Sequence, residues 1–323
     1  MKAIYILLIS LFTVNLFALD KLRIGVLAFG TVNWELSVMQ LNNIAKKNGL
    51  ELEIKKLPSK NGVNIALQAG AVDVIVSDYI WVSRQRATGS DFTFYPYSKA
   101  VGGIYIRPDI EVNNLMGLNN KKLGISGGQV NQTWLITRAY TKYKYGKDLK
   151  DYAIPTFASP PILNKKVLDK SLDGAINFWH YNAKLEVKGM KKLISLKSML
   201  NEMGIKNDIP FIGWIFSEKF AKKNKKTINS FLQASFETKK LLNGSNIQWL
   251  RIKKHMKTKN EKTYNALIKG YRNGIPKVFG ENEKIAAKKV FNILVKEGGR
   301  RLVGKSKTLE EGTFWDFNPK IEW

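Results

Sequence analysis

From Lys21 onward, short apolar runs closed by turn residues alternate with amphipathic stretches, the pattern of a chain built from β-α units. Leu22-Arg23-Ile24-Gly25-Val26 reads as a first strand. A turn at Phe29-Gly30-Thr31 follows, then one helix through Trp34 to about Asn48. Glu51 to Ile54 alternates as a half-exposed strand. Ile65 to Ala69 predicts a short helix closed by Gly70, and Val72 with Val74-Ile75-Val76 a buried strand running out in Ser77-Asp78-Tyr79. Ile80 to Ala87 predicts a helix, with Gly89 as its cap.

The plan then recurs. Lys122-Leu123-Gly124-Ile125 is a strand, Ser126-Gly127-Gly128 a turn, and Gln129 to Tyr143 a helix with Val130, Trp134, Leu135 and Ala139 near helical spacing. Ile162 to Leu168 is a further helix, and Gly174 to Phe178 a second buried strand. Gly30-x-Val32-Asn33 is echoed by Gly128-x-Val130-Asn131 at an offset of 98 residues, and Asp73 by Asp173 at 100, which predicts two similar lobes. Beyond Pro210-Phe211-Ile212-Gly213-Trp214-Ile215-Phe216, a continuous apolar strand, the chain reads as helices, including Thr227 to Leu242 and Ile285 to Val295. That strand resembles Gly102 to Ile106. The expected organisation is a first lobe of residues 19–102 and 211–323, a second of 103–210, and two crossing strands as hinge.

Length and composition agree with two medium lobes: 323 residues, 44% hydrophobic and 24% charged. With no Cys, disulfides, thiolate metal sites and a Cys nucleophile are excluded. The formal net charge of +27 raises nucleic acid or an anionic membrane as partners. Only nine of the 53 basic residues are Arg, the residue favoured for bidentate phosphate and base recognition, and no Arg cluster is interleaved with aromatics. The Lys excess therefore reads as a solvated surface, with no nucleic-acid partner expected.

Lys2, the apolar run Ala3 to Phe12 and a small residue at Ala18 form an export signal over residues 1–18, cleavable after Ala18. The alternative is a retained anchor, for which the 17 residues from Ala3 to Leu19 are short and partly polar.

In open α/β sheets ligands sit beyond the carboxyl ends of strands, against the helices that follow. That rule selects Phe29 to Trp34, Ser77 to Trp81, Ser126 to Trp134 and Asn177 to Asn182. Asn33, Ser77, Gly127, Gly128 and Gln129 are candidate ligand contacts. Backbone N–H groups at Gly127 and Gly128, opening a helix, suit an acidic group; equally, a tight turn needs Gly for its backbone. Trp34, Trp81, Trp134 and Trp179 fall in these segments and Trp214 on a crossing strand, as aromatic walls or as core. Asp78 is either the partner of a ligand amine or a helix N-cap. Both features together predict a ligand with an acidic group on the Gly128 loop and an amine on Asp78. His180 lines the pocket or serves local structure, with no acid nearby to make it a base. No Gly-x-Ser-x-Gly elbow and no paired His motif occurs, so no catalytic residue, metal or cofactor is expected.

The order of these motifs resembles the periplasmic substrate-binding proteins of ABC importers of the nitrate/sulfonate/taurine type (NitT/TauT, SsuA/THI5-like). The residues that carry the resemblance are the export signal, Leu22 to Trp34, Ala66-Leu67-Gln68-Ala69-Gly70-Ala71-Val72-Asp73-Val74, Arg86 to Asp91, Leu123 to Gly128, Thr133-Trp134-Leu135 and Asp173 to Trp179. The resemblance implies the type II periplasmic-binding-protein fold, two α/β lobes joined by two crossing segments, with helices at the C-terminus. It further implies a monomer that captures a small polar or aromatic solute between its lobes and delivers it to an ABC permease with a cytoplasmic ATPase. Its ligand loops would fall on Asn33-Trp34, Ser77-Asp78, Gly128 and Trp179. A membrane-anchored sensor or accessory ectodomain, and an enzyme on the same fold, are the alternatives.

Overall fold

The structure is a computed structural model that describes residues 19–323, so the export segment read at 1–18 lies outside the described residues. The first sheet holds β1 (Asp20–Leu27), β2 (Leu50–Leu57), β3 (Val74–Asp78), β4 (Phe92–Ser98) and the late strand β10 (Ile212–Ser217), in the order β2-β1-β3-β10-β4. The second holds β5 (Gly103–Ile106), β6 (Lys122–Ser126), β7 (Ile154–Ala158), β8 (Gly174–Asn177) and β9 (Lys191–Ser195), in the order β7-β6-β8-β5-β9. The two orders are one pattern. Three parallel strands come first, and the fourth place is taken by an antiparallel strand that has just crossed from the other lobe: β10 in the first sheet, β5 in the second. The crossing stretches are Lys99–Gly102 and 203–211, tied together by Lys99 Nζ on Asp208 Oδ2 at 2.5 Å. At Gly102 a Cβ would overlap the Asn177 carbonyl, so the crossing chain can pass there only without a side chain.

Helices of the first half are α1 (Val32–Leu41), α2 (Ile44–Lys47), α3 (Lys60–Gln68) and α4 (Tyr79–Arg86). Those of the second lobe are α5 (Gln132–Tyr145), α6 (Pro160–Leu168), α7 (Trp179–Val187) and α8 (Leu196–Glu202). The C-terminal part adds α9 (Glu218–Lys223), α10 (Lys225–Gly244), α11 (Asn246–Arg251), α12 (Glu261–Asn273) and α13 (Glu281–Val303). The single helix expected from Trp34 to Asn48 is two. Asn43 adopts φ 53°, a left-handed conformation Asn tolerates, while Asn42 Nδ2 donates to the Val38 carbonyl and closes α1.

The two sequence echoes have different fates. Asp73 accepts from the Arg23 backbone N–H at 2.9 Å, and Asp173 from the Lys122 backbone N–H at 2.7 Å, so each Asp pins the start of the neighbouring central strand. Asn33 and Asn131 diverge: the first lies inside α1 and donates to the Leu27 and Gly30 carbonyls, the second caps α5 by accepting from Trp134 N–H.

The C-terminal helices are cross-braces. One apolar cluster runs from Ile75 and Tyr79 in the first lobe to Ile104 and Leu123 in the second, through Val290, Phe291 and Leu294 of α13. On the opposite face α12 packs on α7, and Trp34, Trp249 and Tyr271 gather beside Trp179. Among the described residues no helix is long and apolar enough to cross a membrane.

Candidate functional site

The carboxyl ends of β1, β3, β6 and β8 lie where the chain crosses between sheets, because Ile212 pairs with Asp78 and Gly103 with Asn177 at those same ends. Three side chains there are apolar and open. Phe29 after β1 is 56% exposed, Phe157 near the end of β7 37%, and Phe178 after β8 45%; no other Phe among the described residues is exposed. Two polar groups there are buried and idle. The Ser77 hydroxyl on β3 and the Ser126 hydroxyl ending β6 find no hydrogen-bond partner among the described residues. An unmade bond on a buried hydroxyl costs about 1–3 kcal/mol, so such groups mark a place where a partner is expected.

The loop after β6 differs from the expectation. The helix begins at Gln132, later than expected, with Asn131 as its cap. Gly127 and Gly128, at φ +75° and +90°, therefore form a left-handed turn ahead of the helix, not its opening turn. The amides of Gly128, Gln129 and Val130 have no acceptor among the described residues, which leaves three successive backbone donors free in this turn. Gln129 Oε1 accepts from Arg301 Nη1 at 2.5 Å, bringing to this loop a guanidinium from α13 that has no carboxylate partner among the described residues. The helix reaches the loop past a kink at Gly299.

Asp78 does not present a free carboxylate. Oδ1 accepts from Trp81 N–H at 2.8 Å and Oδ2 from Lys60 Nζ at 2.5 Å. The N-cap reading holds, and the charge that was expected to hold an amine is neutralised within the lobe.

The tryptophans divide. Trp214 is fully buried, donates to Ser235 Oγ at 3.0 Å and packs on Tyr97 and Phe231, so it belongs to the core of the first lobe. Trp134, 3% exposed, faces inward from α5. Trp81 is half-buried and stacks on Phe92 at 5.4 Å. In each case apolar burial wins over exposure at a strand mouth. Trp34 and Trp179 meet across the lobes edge to face, with centroids 6.3 Å apart, and the Trp179 ring rests against Gly270 of α12. They form an interlobe packing contact, with Trp34 buried among Trp249 and Tyr271. His180, next in α7, lies among Phe178, Trp179 and Tyr181, and its Nδ1 is buried without a partner. Burial, then nearby Lys184, holds its pKa down to about 4, so at neutral pH the ring is uncharged.

Phe29 and Phe178 lie in the segments expected at the strand mouths without being named there as contacts, and Phe157 lies outside those segments, although an exposed apolar residue near the end of a strand is a readable signal. Arg301 left none, being far from the loop in sequence. No group of three or more His, Asp or Glu among the described residues is placed to hold a metal ion.

No curated protein sequence matches the chain. Among solved structures, the periplasmic aliphatic sulphonate binding protein SsuA from Escherichia coli has a similar fold at TM-score 0.73, with 15% identity and 94% of each chain covered. The alkanesulfonate-binding protein SsuA from Xanthomonas axonopodis pv. citri bound to MOPS gives 0.65, at 14% identity, over 91% of this chain and 98% of that one. The periplasmic nitrate-binding protein NrtA from Synechocystis PCC 6803 gives 0.62, at 11% identity, over 90% and 84%. The shared architecture is the type II periplasmic-binding-protein fold. A family model described as NMT1/THI5 like matches residues 46–240, more than half of the length, and the chain belongs to that family.

Proposed function

We propose that the chain is an extracytoplasmic solute-binding protein that takes up a small organic molecule bearing an acidic group between its lobes. As a monomer it hands the solute to an ABC permease with a cytoplasmic ATPase. The observation that carries this reading is the pairing, at the strand ends of both lobes, of three exposed phenylalanines with two buried, unpartnered hydroxyls. The phenylalanines suit an alkyl or aromatic body, and Ser77, Ser126 and the Gly128–Val130 amides a sulfonate- or carboxylate-like head. Arg301 supplies the positive charge. With Asp78 engaged by Lys60, no amine on the ligand is required. Family membership and the sulphonate- and nitrate-binding proteins of similar fold support the same class. Export by residues 1–18 is part of the proposal.

Mass spectrometry of the compound that co-purifies, and calorimetric titration with alkane- and arenesulfonates, test it. Loss of one hydrogen bond to a charged head costs about 1.5–3 kcal/mol, so Ser126→Ala should weaken binding at least tenfold with no loss of thermal stability. Failure of any organic anion to bind would overturn the reading, and turnover of the bound compound would favour the enzyme alternative.

A further inference from the structure

The path of α13 runs from one lobe to the other and back. Its first turn lies at the hinge, where Glu283 Oε1 accepts from Asn207 Nδ2 of the second crossing stretch at 3.3 Å. There it is fixed to the first lobe: Lys284 Nζ donates to Asp316 at 2.6 Å, and the Ala287 carbonyl accepts from Tyr79 OH at 3.3 Å. Its later turns lie on the second lobe. The Glu297 side chain, 3% exposed, accepts from Lys142 of α5 and lies 3.7 Å from Arg138 Nη2, and a Cβ at Gly298 would stand 2.9 Å from Leu135 Cδ1. At Gly299 the chain turns, with φ 52° and ψ −159°, a conformation essentially confined to glycine. Beyond Val303 it is back on the first lobe, where Ser306 Oγ meets Ser83 Oγ of α4 at 2.7 Å and the Thr313 carbonyl accepts from Phe94 N–H of β4 at 2.8 Å.

The charges at the second-lobe contact balance only when α13 is in place. Arg138 and Lys142 of α5 face one carboxylate of their own lobe, Asp148, which takes Arg138 through both oxygens at 2.9 and 2.8 Å; Glu297 is the fourth charge. We propose that residues 297–306 are a strap between the lobes: fixed to the first lobe on either side, it holds the second by Glu297, and the lobes part only when that grip lets go. The grip has leverage, because Glu297 stands about 21 Å along the helix from Glu283 at the hinge. A rotation of about 10° about the crossing stretches would carry it about 4 Å, beyond hydrogen-bond reach. Release leaves no cation stranded, since Arg138 keeps Asp148 and the Lys142 side chain is 38% exposed. The turn at Gly299 also sets Arg301 on Gln129 of the Gly128 loop. Under the function proposed above, on which this last step rests and the strap itself does not, closing the lobes and bringing Arg301 to the head of the solute are one movement.

The chain has no Cys, so Lys56→Cys on β2 and Lys165→Cys on α6, both exposed and near the outer edges of the two sheets, carry a pair of fluorophores at defined points. Single-molecule energy transfer is read on this protein after solute has been removed by dialysis from urea. The labelled parent should show mainly one short distance. Glu297→Gln and Lys142→Gln should each raise the share of a longer distance about tenfold, the weight of a hydrogen bond to a charged group. Gly299→Ala, which denies the turn its conformation, should shift it the same way. Glu281→Gln, an exposed carboxylate on the first turn of the same helix, should leave it alone. Unchanged distances in Glu297→Gln and Gly299→Ala, or an equal gain in Glu281→Gln, would overturn the strap. Circular dichroism separates an opened protein from an unfolded one, and if Glu297→Gln does not fold, Lys142→Gln, altered at the end that water reaches, decides. Distance is read here and not binding, so failure of sulfonates to bind would overturn the function proposed above and leave this result standing.

Discussion

Acid should destabilise this protein in a window set by one ring. His180 is packed against its aromatic neighbours in α7 with Nδ1 shielded, and its pKa falls from 6.5 to about 4, by burial first and Lys184 second. Above pH 6.5 the imidazole is neutral whether the chain is folded or not. As the pH falls, the unfolded chain takes up a proton that the folded ring refuses, so stability present above 6.5 is lost progressively down to about 4. At 1.36 kcal/mol per pH unit the gap gives at most about 3.4 kcal/mol, an upper bound because the ring keeps some exposure. The carboxylates held low by their partners, Asp91, Asp148 and Asp208, begin to yield their stabilisation only at the lower end of this window, below about pH 5, and lose most of it below about pH 4. Urea unfolding at a series of pH values between about 7 and 4, on the wild type and on His180→Phe, isolates the ring, since Phe keeps the aromatic body without a titrating nitrogen. The variant should lose most of the slope. If both proteins lose the same stability between 6.5 and 4, the shielding of His180 is wrong. The corollary for binding is that His180 offers an anionic ligand no positive charge at neutral pH.

Two further outcomes concern the frame around the site. Glu35, which follows Trp34, is fully buried and accepts from Lys239 Nζ, Ser235 Oγ and Tyr271 OH. Lys239→Met should cost about 3–5 kcal/mol by stranding the carboxylate, whereas adding Glu35→Leu should recover most of it, and strictly additive single and double variants in chemical denaturation would contradict that. A Cβ at Gly270 would stand 2.5 Å from Trp179 Cζ3. Gly270→Ala should therefore cost about 1–3 kcal/mol and alter tryptophan fluorescence, while Gly244→Ala, which meets open space, should do neither.

Much of the fold was legible because its signals are local. Runs such as Val74–Val76 and Ile212–Phe216 are apolar on both faces, as strands covered on both sides must be, and the Asp73–Asp173 echo marked two like sheets. The Trp set misled because position along the chain says where a residue enters a helix but not which way it turns. Trp134 enters α5 at a strand mouth and turns inward, and only Trp34 and Trp179 meet across the lobes. Asp78 shows the same limit. Its cap was readable from its place before α4, whereas its neutralisation by Lys60 depends on α3 lying alongside β3, a tertiary fact. The helix break at Asn42-Asn43 was hidden because apolar periodicity continues across it.

The exchange of strands between the sheets has a consequence for how the protein is made. As the chain is synthesised from its amino terminus, β4 is complete more than a hundred residues before β10, its neighbour in the sheet, and more than two hundred before Phe314, which bridges Phe94 on its other edge. Until then Phe92–Ser98, rich in aromatics, is an unpaired ribbon that can recruit other chains, blunted only by Pro96. The second sheet, β5 to β9, is contiguous and can close in the meantime. The lobe that starts first therefore finishes last, and α12 and α13 can brace the two lobes only after β10 has seated. A chain cut short before Ser217 would display β4 permanently, and its fate would be decided by aggregation and proteolysis rather than by any loss of the ligand site.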